Sequence, residues 1–386
     1  MSRYLLAFLV LGLWQMPLGA LEFNWSYEIG NNKNSACEQA IRDEAYVDAL
    51  TFCHKDAEAG KRDAQVNLSV LYWYGHGTDK DYVEARKWLR KAAEQGHANS
   101  MNMYGYSYEK GLGTEPDLIK AANWYEKAAR AGNLHGQYNL GRHYERGLGR
   151  EQDYKQAARW YREPAAKGYT SAMTNLGSLY FNGNGVEQDV TRARTLFEKA
   201  AEQDSSVAMA NLGIIYYKGI GVEQDIDRAI DWYEKAARQG DAEAQNSLGV
   251  IYANGKGVEK DLEKGVGYFR QAAEQGHTDA QFTLGRLYKQ GLGVEQNYSQ
   301  ALKWFSRSAD KWHAPAIFQM AVLHTNGKGV EQNLIAGFYY AMLARELGYE
   351  RAGDLVGFLE KNMTEEQLDH ARKVTQEKFR QLRNKQ

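Results

Sequence analysis

The sequence has 386 residues, of which 43% are hydrophobic, 12% aromatic and 25% charged, and its formal net charge is −1. This near-neutral balance excludes a general electrostatic attraction to nucleic acid or to anionic lipid, and we expect no nucleic-acid partner. The composition is that of a folded chain, and its four prolines are few enough to suit helices.

Residues 1–20 predict a cleaved signal peptide. Arg3 supplies a basic start, Tyr4–Trp14 form an apolar core too short to span a bilayer, and a small-residue site ends at Gly19-Ala20. The alternative is an uncleaved anchor. We therefore expect a periplasmic or secreted bacterial protein with no transmembrane segment once the signal has been removed.

Residues 21–62 predict an N-terminal segment with a capping hairpin of two helices. The two cysteines, Cys37 and Cys53, lie eight residues before and eight residues after Ala45, where we place the turn. Antiparallel helices joined there bring the sulfurs opposite each other, and an exported protein meets an oxidising compartment. We expect a disulfide; the alternative is two reduced, buried thiols. Redox catalysis is disfavoured because no Cys-x-x-Cys occurs.

The rest of the chain is repetitive. A Gly-x-Gly pair recurs every 36 residues, at Gly75/Gly77, Gly111/Gly113, Gly147/Gly149, Gly183/Gly185, Gly219/Gly221, Gly255/Gly257, Gly291/Gly293 and Gly327/Gly329. Such a period is typical of a solenoid. Glycine accepts the left-handed conformation that ends a helix, so the pair is interpreted as a connector between helices. No phosphate-binding loop motif occurs anywhere in the chain.

The fifth repeat, "AMANLGIIYYKGIGVEQDIDRAIDWYEKAARQGDAE", illustrates the pattern. Leu212, Gly213 and Tyr216 fall on one face of a first helix. Asp225 is placed to cap a second helix, whose apolar face includes Tyr233. The acid or amide recurs at this position in every repeat, and we interpret it as a structural cap rather than as a catalytic or metal-binding group.

Several repeats depart from this pattern. Pro164 predicts a kink or a shortening of the second helix of the third repeat. Asp204 replaces the glycine that ends the fourth repeat. Gly265 and Gly267 are expected to weaken the second helix of the sixth repeat.

The consensus A-x-x-x-L-G-x-x-Y-x-x-G-x-G-V-x-x-D-x-x-x-A-x-x-W-Y-x-x-A-A-x-x-G resembles the Sel-one-like repeat, a relative of the tetratricopeptide repeat, over eight units at residues 63–351. The resemblance implies an all-α, right-handed superhelical α/α solenoid of helix-turn-helix repeats, with the first helices lining a concave face. It implies an adaptor or scaffold role and no particular partner. Residues 352–386 are expected to form capping helices, since Thr364 and Gln367 are spaced as a capping box.

Catalytic motifs are weak or missing. Ser107 and Ser308 begin Ser-x-x-K matches, the pattern of penicillin-binding serine enzymes, but the companion motifs Ser-Asp-Asn and Lys-Thr-Gly are absent. The family members credited with weak penicillin binding carry a cysteine pair in each repeat, which this chain lacks. The nine histidines form no metal-binding motif. We therefore expect no enzyme, cofactor or metal; the alternative is a penicillin-binding or cell-wall-active enzyme of the cysteine-rich repeat type.

A further set of positions on the first helices, which we call the variable stripe, differs from repeat to repeat. Its members, spaced i, i+4, i+7, are Val66, Val70, Trp73; Asn102, Tyr106, Glu109; Tyr138, Arg142, Glu145; Thr174, Ser178, Phe181; Ala210, Ile214, Tyr217; Asn246, Val250, Ala253; Phe282, Arg286, Lys289; Phe318, Val322, Thr325.

The variable stripe is rich in aromatic residues and arginine, which anchor protein interfaces. If the first helices line a groove, the residues predicted to bind a protein or peptide partner are Trp73, Tyr106, Tyr138, Arg142, Phe181, Tyr217, Phe282 and Arg286. The alternative is that the stripe packs against the neighbouring repeat. We expect the protein to be a monomer.

Overall fold

The computed structural model describes residues 35–383, and all the regular secondary structure within that range is α-helical. The predicted signal peptide and residues 21–34 lie outside the described residues. The chain separates into two compact units between Pro164 and Ala165, and each unit is described by itself.

The first unit contains the N-terminal hairpin and three helix pairs. Its helices are α1 (Ala36–Arg42), α2 (Tyr46–Glu58), α3 (Arg62–Tyr74), α4 (Tyr82–Glu94), α5 (Ala98–Lys110), α6 (Leu118–Arg130), α7 (Leu134–Arg146) and α8 (Tyr154–Ala166), of which the last two residues belong to the second unit.

The second unit contains five helix pairs and two closing helices. They are α9 (Thr170–Asn182), α10 (Val190–Ala201), α11 (Ser206–Lys218), α12 (Ile226–Arg238), α13 (Ala242–Asn254), α14 (Leu262–Glu274), α15 (Thr278–Gln290), α16 (Tyr298–Ala309), α17 (Ala314–Asn326), α18 (Leu334–Glu346), α19 (Arg351–Asn362) and α20 (Glu365–Arg383).

The predicted disulfide is confirmed: Cys37 of α1 is bonded to Cys53 of α2, with their Cα atoms 4.6 Å apart. Both cysteines are buried in one cluster with Leu68, Leu71 and Trp88 of the first repeat. The hairpin therefore covers the apolar end of that repeat.

Each repeat is built by local hydrogen bonds that fix the ends of its helices. In the fifth repeat, α11 ends at Gly219 in the left-handed conformation (φ 67°), and the Asp225 side chain accepts the backbone N–H of Arg228 at 2.9 Å. Between them, Gln224 Nε2 donates to the carbonyl of Tyr217 at 2.6 Å. Equivalent amides recur at Gln152, Gln188, Gln296 and Gln332.

The Leu-Gly pair of the first helix is explained by close packing. A Cβ atom added to Gly213 would lie 2.5 Å from Cε1 of Tyr233 on the second helix, and Tyr233 is itself buried. The same contact of a glycine with an aromatic ring joins Gly141 to Tyr161, Gly177 to Phe197, Gly249 to Phe269 and Gly285 to Phe305. Only glycine lets the ring sit directly on the helix backbone.

The expected shortening at Pro164 is wrong, because α8 keeps 13 residues, as most of the repeat helices do. Pro164 lies near the end of α8, where the loss of its own N–H affects only the last turn. Asp204 adopts the conformation of the glycine it replaces (φ 61°), and Trp312 does the same three repeats later (φ 62°).

The chain closes with α19 and α20. The predicted capping box is present, since the backbone N–H of Thr364 donates to Gln367 Oε1 at 3.1 Å and that of Gln367 donates to Thr364 Oγ1 at 3.2 Å. Ala371 of α20 is buried against Phe338 of α18 and Leu359 of α19. Across residues 35–383, no helix combines the length and the apolar character needed to cross a bilayer.

Candidate partner-binding surface

In the first unit, two of the predicted partner-binding residues lie in the core. Trp73 is 7% exposed and its ring lies 5.1 Å from that of Tyr82, while Tyr138 is 4% exposed and lies 5.8 Å from Tyr161. Both therefore offer little surface to a partner in this conformation. Tyr106 is half-buried, with its ring 6.4 Å from Trp73. The environment of these three residues therefore fits the alternative interpretation, in which the stripe packs against neighbouring helices.

Arg142 belongs to a buried charge network centred on Glu109. The Arg142 guanidinium donates to Glu109 Oε2 at 2.5 Å, and His143 Nε2 lies 3.3 Å from the same oxygen. The Tyr125 hydroxyl donates to it at 2.9 Å, and Lys110 Nζ lies 2.9 Å from Oε1. The charge of Arg142 is therefore already matched within the protein.

The two acids of this stripe have opposite electrostatic environments. Burial acts to raise the pKa of Glu109, but the hydrogen bond to His143 and the charges of Arg142 and Lys110 outweigh it and hold that pKa well below its usual range. Burial raises the pKa of Glu145, and the bond donated by the Tyr161 hydroxyl at 2.6 Å offsets this only in part.

In the second unit, the predicted stripe residues keep more exposure. Phe181 and Tyr217 are half-buried, and Lys256 Nζ lies 4.2 Å from the centre of the Tyr217 ring. This is cation–π distance. The unit therefore presents aromatic faces along its first helices, as the partner-binding interpretation requires.

Phe282 and Arg286 lie together on α15. Phe282 is half-buried against His313, with ring centres 4.8 Å apart, and against Phe305 at 5.8 Å. Arg286 is exposed, and its guanidinium carbon lies 5.9 Å from the Phe282 ring. An exposed guanidinium beside an aromatic ring is a typical anchor for a protein partner.

The two Ser-x-x-K serines are structural. Ser107 is fully buried; its hydroxyl donates to the carbonyl of Tyr104 at 2.6 Å and accepts from Arg86 at 2.5 Å. Ser308 is also buried and donates to the carbonyl of Thr278 at 3.1 Å. Neither hydroxyl is open to a substrate in this conformation.

The lysines of those motifs also have other partners. Lys110 pairs with Glu109, and Lys311 Nζ donates to the carbonyl of Gly276 at 2.5 Å. Within the described part of the chain, no three metal-ligating side chains come together. Two of the three histidines that share one repeat position cap helix starts: His97 accepts the N–H of Ser100, and His277 accepts that of Ala280, both at 3.2 Å. The third, His313, makes no such bond.

Sequence reasoning did not find the histidine caps or the loop glutamines. The signal was present in the repeat, because the glutamine recurs immediately before each of five caps. The histidines could have been recognised by their position immediately before a first helix.

Comparison with known proteins identifies the repeats. The Sel1 repeat family matches eight consecutive segments, at residues 62–97, 98–133, 134–169, 170–205, 206–241, 242–277, 278–311 and 314–349. No curated protein matches the chain.

Two solved structures of repeat proteins are similar over much of their length. One is c5321, described as a protective antigen present in uropathogenic Escherichia coli strains and displaying an SLR fold; it is 32% identical with a TM-score of 0.55, and the match covers 86% of this chain and 79% of that one. The other is a Sel1 repeat protein from Oxalobacter formigenes, 32% identical with a TM-score of 0.58, with coverage of 62% and 94% respectively.

Proposed function

Because the chain belongs to the Sel1 repeat family, whose members generally mediate protein–protein interaction, we propose that it is an exported adaptor that holds a protein or peptide partner on the variable stripe. The observation that carries this proposal is the exposure of the stripe in the second unit, where Phe181, Tyr217 and Phe282 are half-buried and Arg286 is exposed. Aromatic and arginine side chains contribute most of the binding energy in many interfaces.

The binding surface is tested by crosslinking and capture from cell envelope and medium. Wild type is compared with Phe181→Ala/Tyr217→Ala, which removes two aromatic faces of the stripe and changes no charge. A second variant, Lys235→Ala/Arg238→Ala, serves as the control because it alters exposed side chains of a second helix. Circular dichroism verifies folding. We expect a partner that wild type and the control capture and the stripe variant does not; equal capture by all three would overturn the stripe as the binding surface.

The adaptor acts without catalysis in this proposal. Ser107 and Ser308 are buried and hydrogen-bonded, and their motif lysines have other partners. A fluorescent penicillin should therefore leave no covalent adduct. An adduct that disappears in Ser107→Ala or Ser308→Ala would restore the penicillin-binding alternative.

Export rests on the predicted signal peptide and on the disulfide, which is stable in oxidising compartments. We expect protein recovered from the periplasm or medium to begin at Leu21, as measured by intact mass. A full-length mass in the cytoplasmic fraction alone would contradict export.

A further inference from the structure

Four basic side chains lie together around α15, α17 and the start of α19. Arg286 and Lys289 are three residues apart on α15, and Lys289 Nζ donates to Gln319 Oε1 on α17 at 2.7 Å. Lys328 lies in the glycine loop after α17, with Nζ 5.2 Å from the Tyr298 ring. Arg351 begins α19, with its guanidinium carbon 5.9 Å from the Phe318 ring. We call these four residues the basic cluster.

The basic cluster has no acidic partner among the described residues. The ion pairs of this region involve other groups; Asp279 of α15, for example, pairs with His313 at 3.7 Å. Burial and the positive charges of Lys328, Arg286 and Arg351 lower the pKa of Lys289.

The first unit provides an internal comparison. Arg142 and Arg286 occupy the same position of their repeats, as do Glu109 and Lys289. Where Arg142 meets a carboxylate from the preceding repeat at 2.5 Å, Arg286 makes no ion pair within the described residues and shares α15 with Lys289. Arg286, Lys328 and Arg351 are exposed and Lys289 is half-buried, so an anion bound among them would reduce the repulsion between like charges.

We infer that the basic cluster binds the carboxylates of an acidic peptide segment, which rests on the proposed function and identifies the chemistry of its partner. A guanidinium donates two parallel N–H bonds to a carboxylate, and Lys289 adds a charge-assisted bond beside it. Phe282, half-buried beside Arg286, provides apolar contact for a neighbouring side chain of the peptide, whereas Phe318 beside Arg351 is buried. This combination favours an acidic segment that also contains apolar residues.

The basic cluster matches the few carboxylates of a peptide better than it matches the many phosphates of a nucleic acid. Nucleic acid binds through many phosphates along an extended positive surface, whereas this chain has a formal net charge of −1 and only a local group of cations.

The test measures fluorescence anisotropy of a short labelled peptide of alternating glutamate and leucine, titrated with the full chain. Arg286→Gln/Lys289→Gln should weaken binding by about ten-fold or more, since it removes two charge-assisted contacts, and added salt should weaken the wild-type complex. Lys303→Gln/Arg307→Gln, which removes the same charge from exposed positions of the adjacent α16, should leave the affinity unchanged.

Three results would overturn the inference: no binding of the peptide to wild type, equal weakening by both double variants, or tighter binding of an oligonucleotide or of anionic lipid vesicles than of the peptide. The adaptor proposal is judged separately by the aromatic stripe variant. A partner lost from Phe181→Ala/Tyr217→Ala but retained by Arg286→Gln/Lys289→Gln would keep the adaptor and reject the acidic site. Peptide binding that depends on the basic cluster, with no partner captured from cells, would keep the acidic-peptide site and reject the adaptor proposal.

Discussion

The absence of a Cβ atom at the glycine of the Leu-Gly pair allows the two helices of a repeat to pack closely. Gly213→Ala places a methyl group 2.5 Å from the buried ring of Tyr233, which has little room to move. We expect this substitution to lower the free energy of unfolding by about 2 kcal/mol through overpacking. Urea unfolding followed by circular dichroism measures it.

Gly267→Ala is the matched control, because nothing lies within 4 Å of the Cβ position at Gly267 in α14. There the methyl group should raise the stability by about 0.5–1 kcal/mol, the helix preference of alanine over glycine. Loss of stability in Gly267→Ala, or no loss in Gly213→Ala, would contradict the packing account.

The Glu109 network should be detectable as a pH dependence of stability. The folded-state pKa of Glu109 is depressed, so its ionised form contributes stability that is present above the unfolded value of about 4.3 and is lost as the pH falls toward the folded value. We expect Glu109→Gln to cost about 2 kcal/mol at neutral pH, as for hydrogen bonds to charged groups, and progressively less below about pH 4. Unfolding free energies measured in urea across the pH range test this.

Glu145 occupies the same repeat position one repeat later, and its contribution to stability should have the opposite pH dependence. Its folded-state pKa is raised, so the contribution of its protonated form is fully present below about pH 4.3 and is lost as the pH rises through the folded value. The stability of Glu145→Gln relative to wild type should therefore improve as the pH rises. Parallel pH profiles for the two variants would contradict at least one of the two assignments.

At the residue scale, sequence reasoning identified types of residue but not their surroundings. It treated Gly265 and Gly267 alike, yet a Cβ atom at Gly265 would meet backbone atoms of α13 at 3.0 Å, while Gly267 is open. It grouped Trp73 with Tyr217 because the two share a repeat position, yet Trp73 is buried. Exposure depends on contacts with other helices, and the spacing within one helix does not contain them.

Among the elements, the N-terminal hairpin was the most completely predicted. Its turn and its disulfide follow from the symmetric cysteine spacing, because antiparallel helices bring equidistant residues face to face. Removing the disulfide with Cys37→Ala/Cys53→Ala should cost about 3 kcal/mol by the chain-entropy estimate for a loop of this length. The loss should concentrate in α1 and α2 and in the adjoining α3, because each repeat is stabilised mainly by its neighbours.

Hydrogen exchange measures where the loss occurs. Faster exchange of α1–α3 amides with unchanged exchange in α14 is the expected pattern, and wild type in reducing agent should reproduce it. Uniform acceleration along the chain would show that the hairpin stabilises the molecule globally rather than the adjoining repeat.

For the chain as a whole, the fold was accessible from sequence because its contacts are local and recur. A 36-residue period fixes the helix lengths, the connectors and the caps, and each repeat needs only its neighbours to complete its core. The surface that meets a partner is different. The repeat pattern does not specify the residues at those positions, because they differ from one repeat to the next. The basic cluster is assembled from α15, the loop after α17 and the start of α19, so no single window of sequence contains it.

A chain of stacked repeats must also end, and the last prediction concerns that end. In the second unit α20 packs on α18, and Ala371 is buried in one cluster with Phe338 of α18 and Leu359 of α19. A chain truncated after Met363 would expose this apolar surface, so we expect faster hydrogen exchange in α17–α19 and a tendency to self-associate, measured by light scattering after gel filtration.

Arg372→Ala is the control for this truncation, because it alters the exposed side of the same helix, where the pair with Glu360 at 3.3 Å is worth little. The hydrogen-exchange pattern of this variant and its oligomeric state by light scattering should be the same as those of wild type. A truncated chain that stays monomeric with unchanged exchange in α18 would mean that the eighth repeat closes the stack by itself. The apolar face of the eighth repeat would then be stable in contact with water. That result would contradict the view that a terminal repeat needs a cap to cover its apolar surface.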